Sequence, residues 1–128
     1  MDTKRQRSSL GNARGLGSAQ EGFKSWWIER VTAVALVPLT LWFTGSLIAL
    51  GRADYTTFVH WIRTPFATLS MVVLLIALFS HLALGLQVVI EDYVHFWAKI
   101  PALLVARFSC IVLGIAGILA TLRITFSE

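Results

Sequence analysis

The chain has 128 residues, 56% of them hydrophobic and only 14% charged, with a mean hydropathy of +0.72. That is more apolar surface than a soluble domain of this size hides in one core, so the composition excludes an ordinary soluble fold and points to a membrane protein. A single cysteine, Cys110, excludes a disulfide framework or a Cys-based zinc site within the chain. The net charge of +4 does not argue for nucleic acid, because six of the eleven basic residues lie in the first 30 positions, beside an apolar run.

Residues 1–25 read as a polar, basic tail. The segment "MDTKRQRSSLGNARGLGSAQEG" is rich in Arg, Gly and Ser and lacks the apolar stretch of a signal peptide. A mitochondrial transit peptide is the lesser reading, weakened by its two acids and four glycines. Residues 26–128 form the second unit, built on three apolar runs. Val31 to Leu50 is 20 residues without a charge, Phe66 to Ile90 is 25, and Ile100 to Leu122 is 23 with only Arg107 inside. At ~1.5 Å per helical residue each crosses a hydrocarbon core of ~30 Å. The runs show no alternation of apolar and polar residues, and three strands cannot close a barrel. The expected fold is therefore an all-α membrane protein with three transmembrane helices at about 28–50, 66–91 and 100–123.

Pro38 is expected to kink the first helix. The connection "GRADYTTFVHWIRTP" starts with Gly, ends with Pro and leaves room for a short interfacial helix over Tyr55 to Ile62. "EDYVHFWAK" before Pro101 reads as a tight turn. On the third helix Ala106, Cys110 and Gly114 recur every four residues, with Gly117 beyond them, a small-residue stripe suited to close helix packing. Packing is the better reading of Cys110 than thiol chemistry. Arg107 lies within snorkelling reach of the inner face, and a contact with anionic lipid or propionate is its lesser reading.

Basic residues set the orientation. With the N-terminus inside, Lys4, Arg5, Arg7, Arg14, Lys24, Arg30 and Lys99 are cytoplasmic, against Arg52, Arg63 and Arg123 outside. Trp26, Trp27 and Trp97 then make an inner aromatic belt, with Tyr55 and Trp61 opposite.

The second run holds an imidazole at depth, in "SHLALGLQVVIEDYVH". From His81 to Asp92 is eleven residues, which at ~100° each returns to the same helix face within ~20°, about 16 Å further along. Gly85, one turn on, shares that face. One stripe thus carries a ligand-capable ring, a gap in the side-chain surface that admits something flat, and an acid at the rim. Spacing alone leaves two readings of His81 open, a hydrogen bond to a neighbouring helix or a cofactor ligand. Taken by themselves Asp92 and Tyr93 fit an interfacial cap and belt, and His60 and His95 fit surface loops.

The pattern of His81, Asp92 and Tyr93 at the end of a second membrane helix, with "ERVTAV" around Arg30 opening the first, resembles the small hydrophobic membrane anchor subunit of succinate dehydrogenase. The resemblance runs from about Gly22 onward. It implies that His81 is one axial ligand of a haem b iron, the other coming from a sister cytochrome b subunit, and that Arg30 lies near a haem propionate. It implies further that Tyr93 hydrogen-bonds ubiquinone while Asp92 orients that pocket, by pairing with an arginine of the sister subunit. Iron-sulfur and flavoprotein subunits would dock on the inner face of a bacterial cytoplasmic membrane, or less readily a mitochondrial inner membrane. Electrons from succinate would reach quinone with protons drawn from the same side. The chain by itself carries no complete active site and no nucleotide, zinc or nucleophile motif. Two rivals are a proton-coupled transport subunit using His81, Glu91 and Asp92, which lacks further acids at depth, and a cofactor-free assembly protein, which leaves His81 unexplained.

Overall fold

The computed structural model describes residues 17–127, with side chains from Phe23 onward. Lys4, Arg5, Arg7 and Arg14 of the expected inner basic cluster lie outside the described residues. Those described form four α-helices and one 3-10 turn: α1 Gly17–Leu50, α2 Tyr55–Ile62, α3 Pro65–Tyr93, the 3-10 turn Phe96–Ala98 and α4 Lys99–Phe126. The all-α class is as expected, and three segments are long and apolar enough to cross a membrane: Phe23–Leu50, Pro65–Tyr93 and Phe96–Phe126, of 28, 29 and 31 residues. At ~1.5 Å per residue each exceeds a hydrocarbon core of ~30 Å, so the ends project into the interfaces.

The boundaries differ from the sequence expectation mainly at α1. The helix begins at Gly17 and not near residue 28, so part of the segment assigned to the tail is helical. Hydropathy marks where a helix enters hydrocarbon, and a polar turn ahead of that point leaves no such mark. The interfacial helix falls on Tyr55–Ile62. Asp54 caps it, accepting from the Thr57 backbone N–H at 3.0 Å. The Thr57 hydroxyl first, and then that amide, hold the Asp54 carboxyl below its ordinary range. Thr64 caps α3, which has Pro65 in its first turn, where a missing N–H costs no helical bond.

The central element is α3, which packs along both α4 and α1. On α4 the contact is made by small residues, with Cys110, Gly114 and Thr121 buried; on α3 it is met by Leu75 and Phe79, while Ala77, one turn before His81, lies on the face toward α1. A Cβ added at Gly114 would meet the Phe79 side chain at 3.5 Å, and one at Gly117 the Leu75 methyls at 3.2 Å. The expected stripe therefore does bring these helices close, and Cys110 serves as a small packing residue. Hydroxyls and carbonyls tie the end that carries α2. Thr68 and Thr125 meet across α3 and α4 at 3.2 Å. Arg63 donates to the carbonyls of Ile124 and Ser127, a cation set on the unpaired carbonyls that end α4. Trp42 of α1 stacks on Trp61 of α2 with centroids 5.7 Å apart and meets Phe66 edge-on, which fixes the interfacial helix to the bundle.

At the opposite end α3 stops at Tyr93, and the chain reverses through Phe96, which has φ 63°. A bulky side chain in the left-handed region costs roughly 1–2 kcal/mol, and Phe96 is nevertheless 90% exposed. Trp26, Trp27 and Trp97 are all exposed at this end, as an aromatic belt requires.

Candidate functional site

The site residues expected from sequence lie on α1 and α3. His81 is partly buried and faces α1, its Nδ1 3.2 Å from the hydroxyl of Thr32. That hydroxyl lies 2.7 Å from the carbonyl of Ile28 and 3.0 Å from that of Glu29, to which it donates. Nε2 of His81 has no hydrogen-bond partner among the described residues. One turn further along α3, nothing lies within 4 Å of where a Gly85 Cβ would stand. Gly85 is the open gap of the stripe, in contrast to Gly114 and Gly117, which are filled from outside.

Asp92 and Tyr93 form the last residues of α3, where helical hydrogen bonding runs out: the Val94 N–H donates to Ile90 at 2.9 Å and the chain then turns away. Both side chains are exposed, Tyr93 by 78%. An exposed phenol at the mouth of a membrane bundle offers one donor and one acceptor to whatever approaches.

Arg30 is placed differently. Its guanidinium lies over the Trp26 ring at 5.6 Å, a cation–π contact one turn back along α1. Arg30 and Thr32 are two residues apart, hence ~200° around the helix, so the structure does not bring Arg30 onto the face that meets His81. It joins His81, Asp92 and Tyr93 only in lying toward the same end of the bundle.

Two features escaped the sequence reading. Thr32 is one of few hydroxyls in its run, which was the only available signal. Its meeting with His81, 49 residues away, is a product of packing. The other is a polar chain across α3 and α4: Arg107 donates to Gln87 Oε1 at 3.2 Å, and Gln87 donates to Glu91 Oε1 at 3.0 Å. The Arg107 side chain is thereby joined to a neighbouring helix, where Gln87 leads on to Glu91 near the rim. Beside it lies a cleft of about 390 Å³ whose lining includes Ile28, Phe79, Gln87, Arg107 and Cys110, but none of His81, Gly85, Asp92 or Tyr93. The cleft therefore opens on another face of α3. Among the described residues no group of three or more His, Cys, Asp or Glu side chains is arranged to hold a bare metal ion.

A model of the succinate dehydrogenase/fumarate reductase transmembrane subunit family matches residues 4–122. A succinate dehydrogenase hydrophobic membrane anchor subunit from Rickettsia bellii is 32% identical over 88 residues, covering 69% of this chain and 70% of that one. The corresponding subunit from Rickettsia conorii is 25% identical over 116 residues, covering 89% and 92%. That from Paracoccus denitrificans is 35% identical over 82 residues, covering 63% of each. No solved structure matches the chain. With three membrane-spanning helices in the order and length observed, and a family match over nearly the whole sequence, the chain belongs to the succinate dehydrogenase/fumarate reductase transmembrane subunits and is a multi-pass membrane anchor that works with partner subunits.

Proposed function

We infer that this anchor supplies His81 as one axial ligand of a haem b shared with a sister cytochrome b subunit, and that Tyr93 and Asp92 form its side of a ubiquinone-reduction site. The observation that carries the reading is the stripe along α3. An imidazole with one nitrogen tied to α1 and the other free is followed by open space at Gly85 and by exposed Asp92 and Tyr93 at the rim. The donor set would suit a haem better than a bare ion, because a haem brings donors of its own and would need only a single imidazole from this chain.

When bound, the haem supplies one-electron chemistry at its iron. Everything else falls to side chains. His81 holds the iron at a fixed depth in the bundle. Tyr93 would donate its phenolic O–H as a hydrogen bond to a quinone carbonyl. Asp92 would orient the pocket through an arginine of the sister subunit, and Arg30, toward the same end of the bundle but off the face that meets His81, would pair with a propionate carboxylate from there. Iron-sulfur and flavoprotein subunits dock at this end, so that electrons from succinate arrive where Tyr93 waits, in a bacterial inner membrane.

A reduced-minus-oxidised optical spectrum of the purified complex, with its co-purifying chains identified, tests the reading. The wild type is expected to show a b-type haem together with flavoprotein and iron-sulfur subunits, and His81→Ala is expected to diminish or shift the haem bands while α1, α3 and α4 remain inserted. An unchanged spectrum and midpoint potential in His81→Ala removes His81 from the site.

A further inference from the structure

The hydroxyl of Thr32 has three polar neighbours and one proton. It stands 2.7 Å from the Ile28 carbonyl oxygen, 3.0 Å from the Glu29 carbonyl oxygen and 3.2 Å from His81 Nδ1. Carbonyl oxygens that close to the hydroxyl oxygen, with no proton between, would set lone pair against lone pair within a membrane-spanning segment, where such repulsion is poorly screened. The proton therefore points back along α1, in the i−4 manner usual for threonine in membrane helices. The oxygen is left with a lone pair toward His81. Nδ1 faces that lone pair, so it must carry the hydrogen and donate it. The neutral imidazole then has its free lone pair on Nε2.

We propose that Thr32 is a positioning residue for His81, fixing the ring in its Nδ1–H tautomer and aiming Nε2 as the iron ligand through a relay from the Ile28 carbonyl to the Thr32 hydroxyl to Nδ1–H. The inference rests on the haem reading of His81. Its chemical consequence is separate from binding. An acceptor on the distal N–H of a metal-bound imidazole makes the ring a stronger donor and fixes its plane, which favours the more highly charged metal. Thr32 is thus expected to hold the haem toward its ferric form.

Thr32→Val keeps the shape and deletes the acceptor. In the intact complex it is expected to shift the ferric-to-ferrous ratio about tenfold toward ferrous, which raises the one-electron midpoint by about 59 mV. It should also alter the low-spin ferric EPR signal, because the ring plane is released. Thr32→Ser, which keeps the oxygen, is expected to return both close to wild type. A merely structural threonine would change assembly or haem content in Thr32→Val and leave the potential of the haem retained unmoved; that result overturns the proposal. Should Thr32→Val fail to assemble, Thr32→Cys keeps a weak acceptor of similar size and is expected to move the potential partway in the same direction, with no movement again overturning it. The underlying reading fails by a different route: if the wild-type complex holds no haem, or His81→Ala leaves the haem spectrum intact, both ideas fall. A normal His81→Ala effect with an unmoved Thr32→Val potential sinks the Thr32 relay alone.

Discussion

Gly85 gives the sharpest distinction between a packing surface and a cofactor surface. Three helical glycines can be ranked by what a Cβ would meet: nothing within 4 Å at Gly85, Phe79 at 3.5 Å for Gly114, and the Leu75 methyls at 3.2 Å for Gly117. For the isolated chain Gly85 is therefore the most permissive of the three. Alanine there should stabilise α3 by about 0.5–1 kcal/mol through helix propensity alone. If the gap admits the edge of a porphyrin, a leucine fills space the cofactor needs, and overpacking of that kind costs about 1–3 kcal/mol. At ~1.4 kcal/mol per tenfold, haem retention in Gly85→Leu should then fall roughly 5- to 150-fold. The assay is haem per assembled complex by pyridine haemochrome, with assembly scored by co-purification of the partner subunits. A Gly85→Leu complex that assembles and carries full haem would refute the reasoning. So would one that loses its partner subunits at wild-type haem affinity, since the gap would then be a protein seat.

Tyr93→Phe keeps the ring and removes one donor. It is expected to slow quinone reduction roughly 5- to 150-fold, the cost of about 1–3 kcal/mol for a lost buried bond, while succinate oxidation by an artificial dye stays near wild type. Equal loss in both assays points to failed assembly instead. Arg63→Ala removes the donor that meets the Ile124 and Ser127 carbonyls, so hydrogen exchange in the last turn of α4 should accelerate while that of α3 is unchanged. Asp54 has a folded-state pKa held below its ordinary 3.8 by Thr57, so its contribution to α2 is complete above that value and is lost as pH falls through the lower, folded value. Protection of the Thr57 amide should fall in that acid window, and Asp54→Asn should lose the pH dependence.

Much of the fold was legible because hydrocarbon imposes a length. The three spans show as long apolar runs, broken by a charge only at Arg107, and the interfacial helix over Tyr55–Ile62 shows as part of a connection punctuated by Gly51 and Pro65. The start of α1 was not legible, because polar residues ahead of the membrane carry no periodic signal. The turn within "EDYVHFWAK" falls where the sequence placed it, but the left-handed backbone at Phe96 was not legible, since its side chain opposes that conformation. At the site, helical periodicity placed His81, Gly85 and Asp92 on one stripe, since that is a property of a single helix. The partners of these residues belong to other helices: Thr32 for His81, and Arg107 for Gln87. Periodicity within one segment says nothing about rotation between two, and so Arg30 and His81 could be grouped by family resemblance while α1 turns Arg30 aside.

The link from Arg107 to Gln87 and on to Glu91 bears on how the chain enters the bilayer. A lone arginine near one end of an apolar helix makes that helix the most expensive of the three to insert, by about 2.5–3.5 kcal/mol if the charge reaches the centre. Gln87 sits on the helix made just before, and its amide solvates the guanidinium at 3.2 Å. With α4 at its full depth the cost is lowered when α3 is already beside it, so the two are expected to leave the insertion machinery as a hairpin and not one after the other. A chain truncated after Tyr93 would then leave α3 with a glutamine facing lipid, while α4 expressed alone would slide outward until its arginine reached water. The same bond that settles a charge in the finished bundle is thus expected also to favour one order of assembly, in which the second and third crossings are a single event.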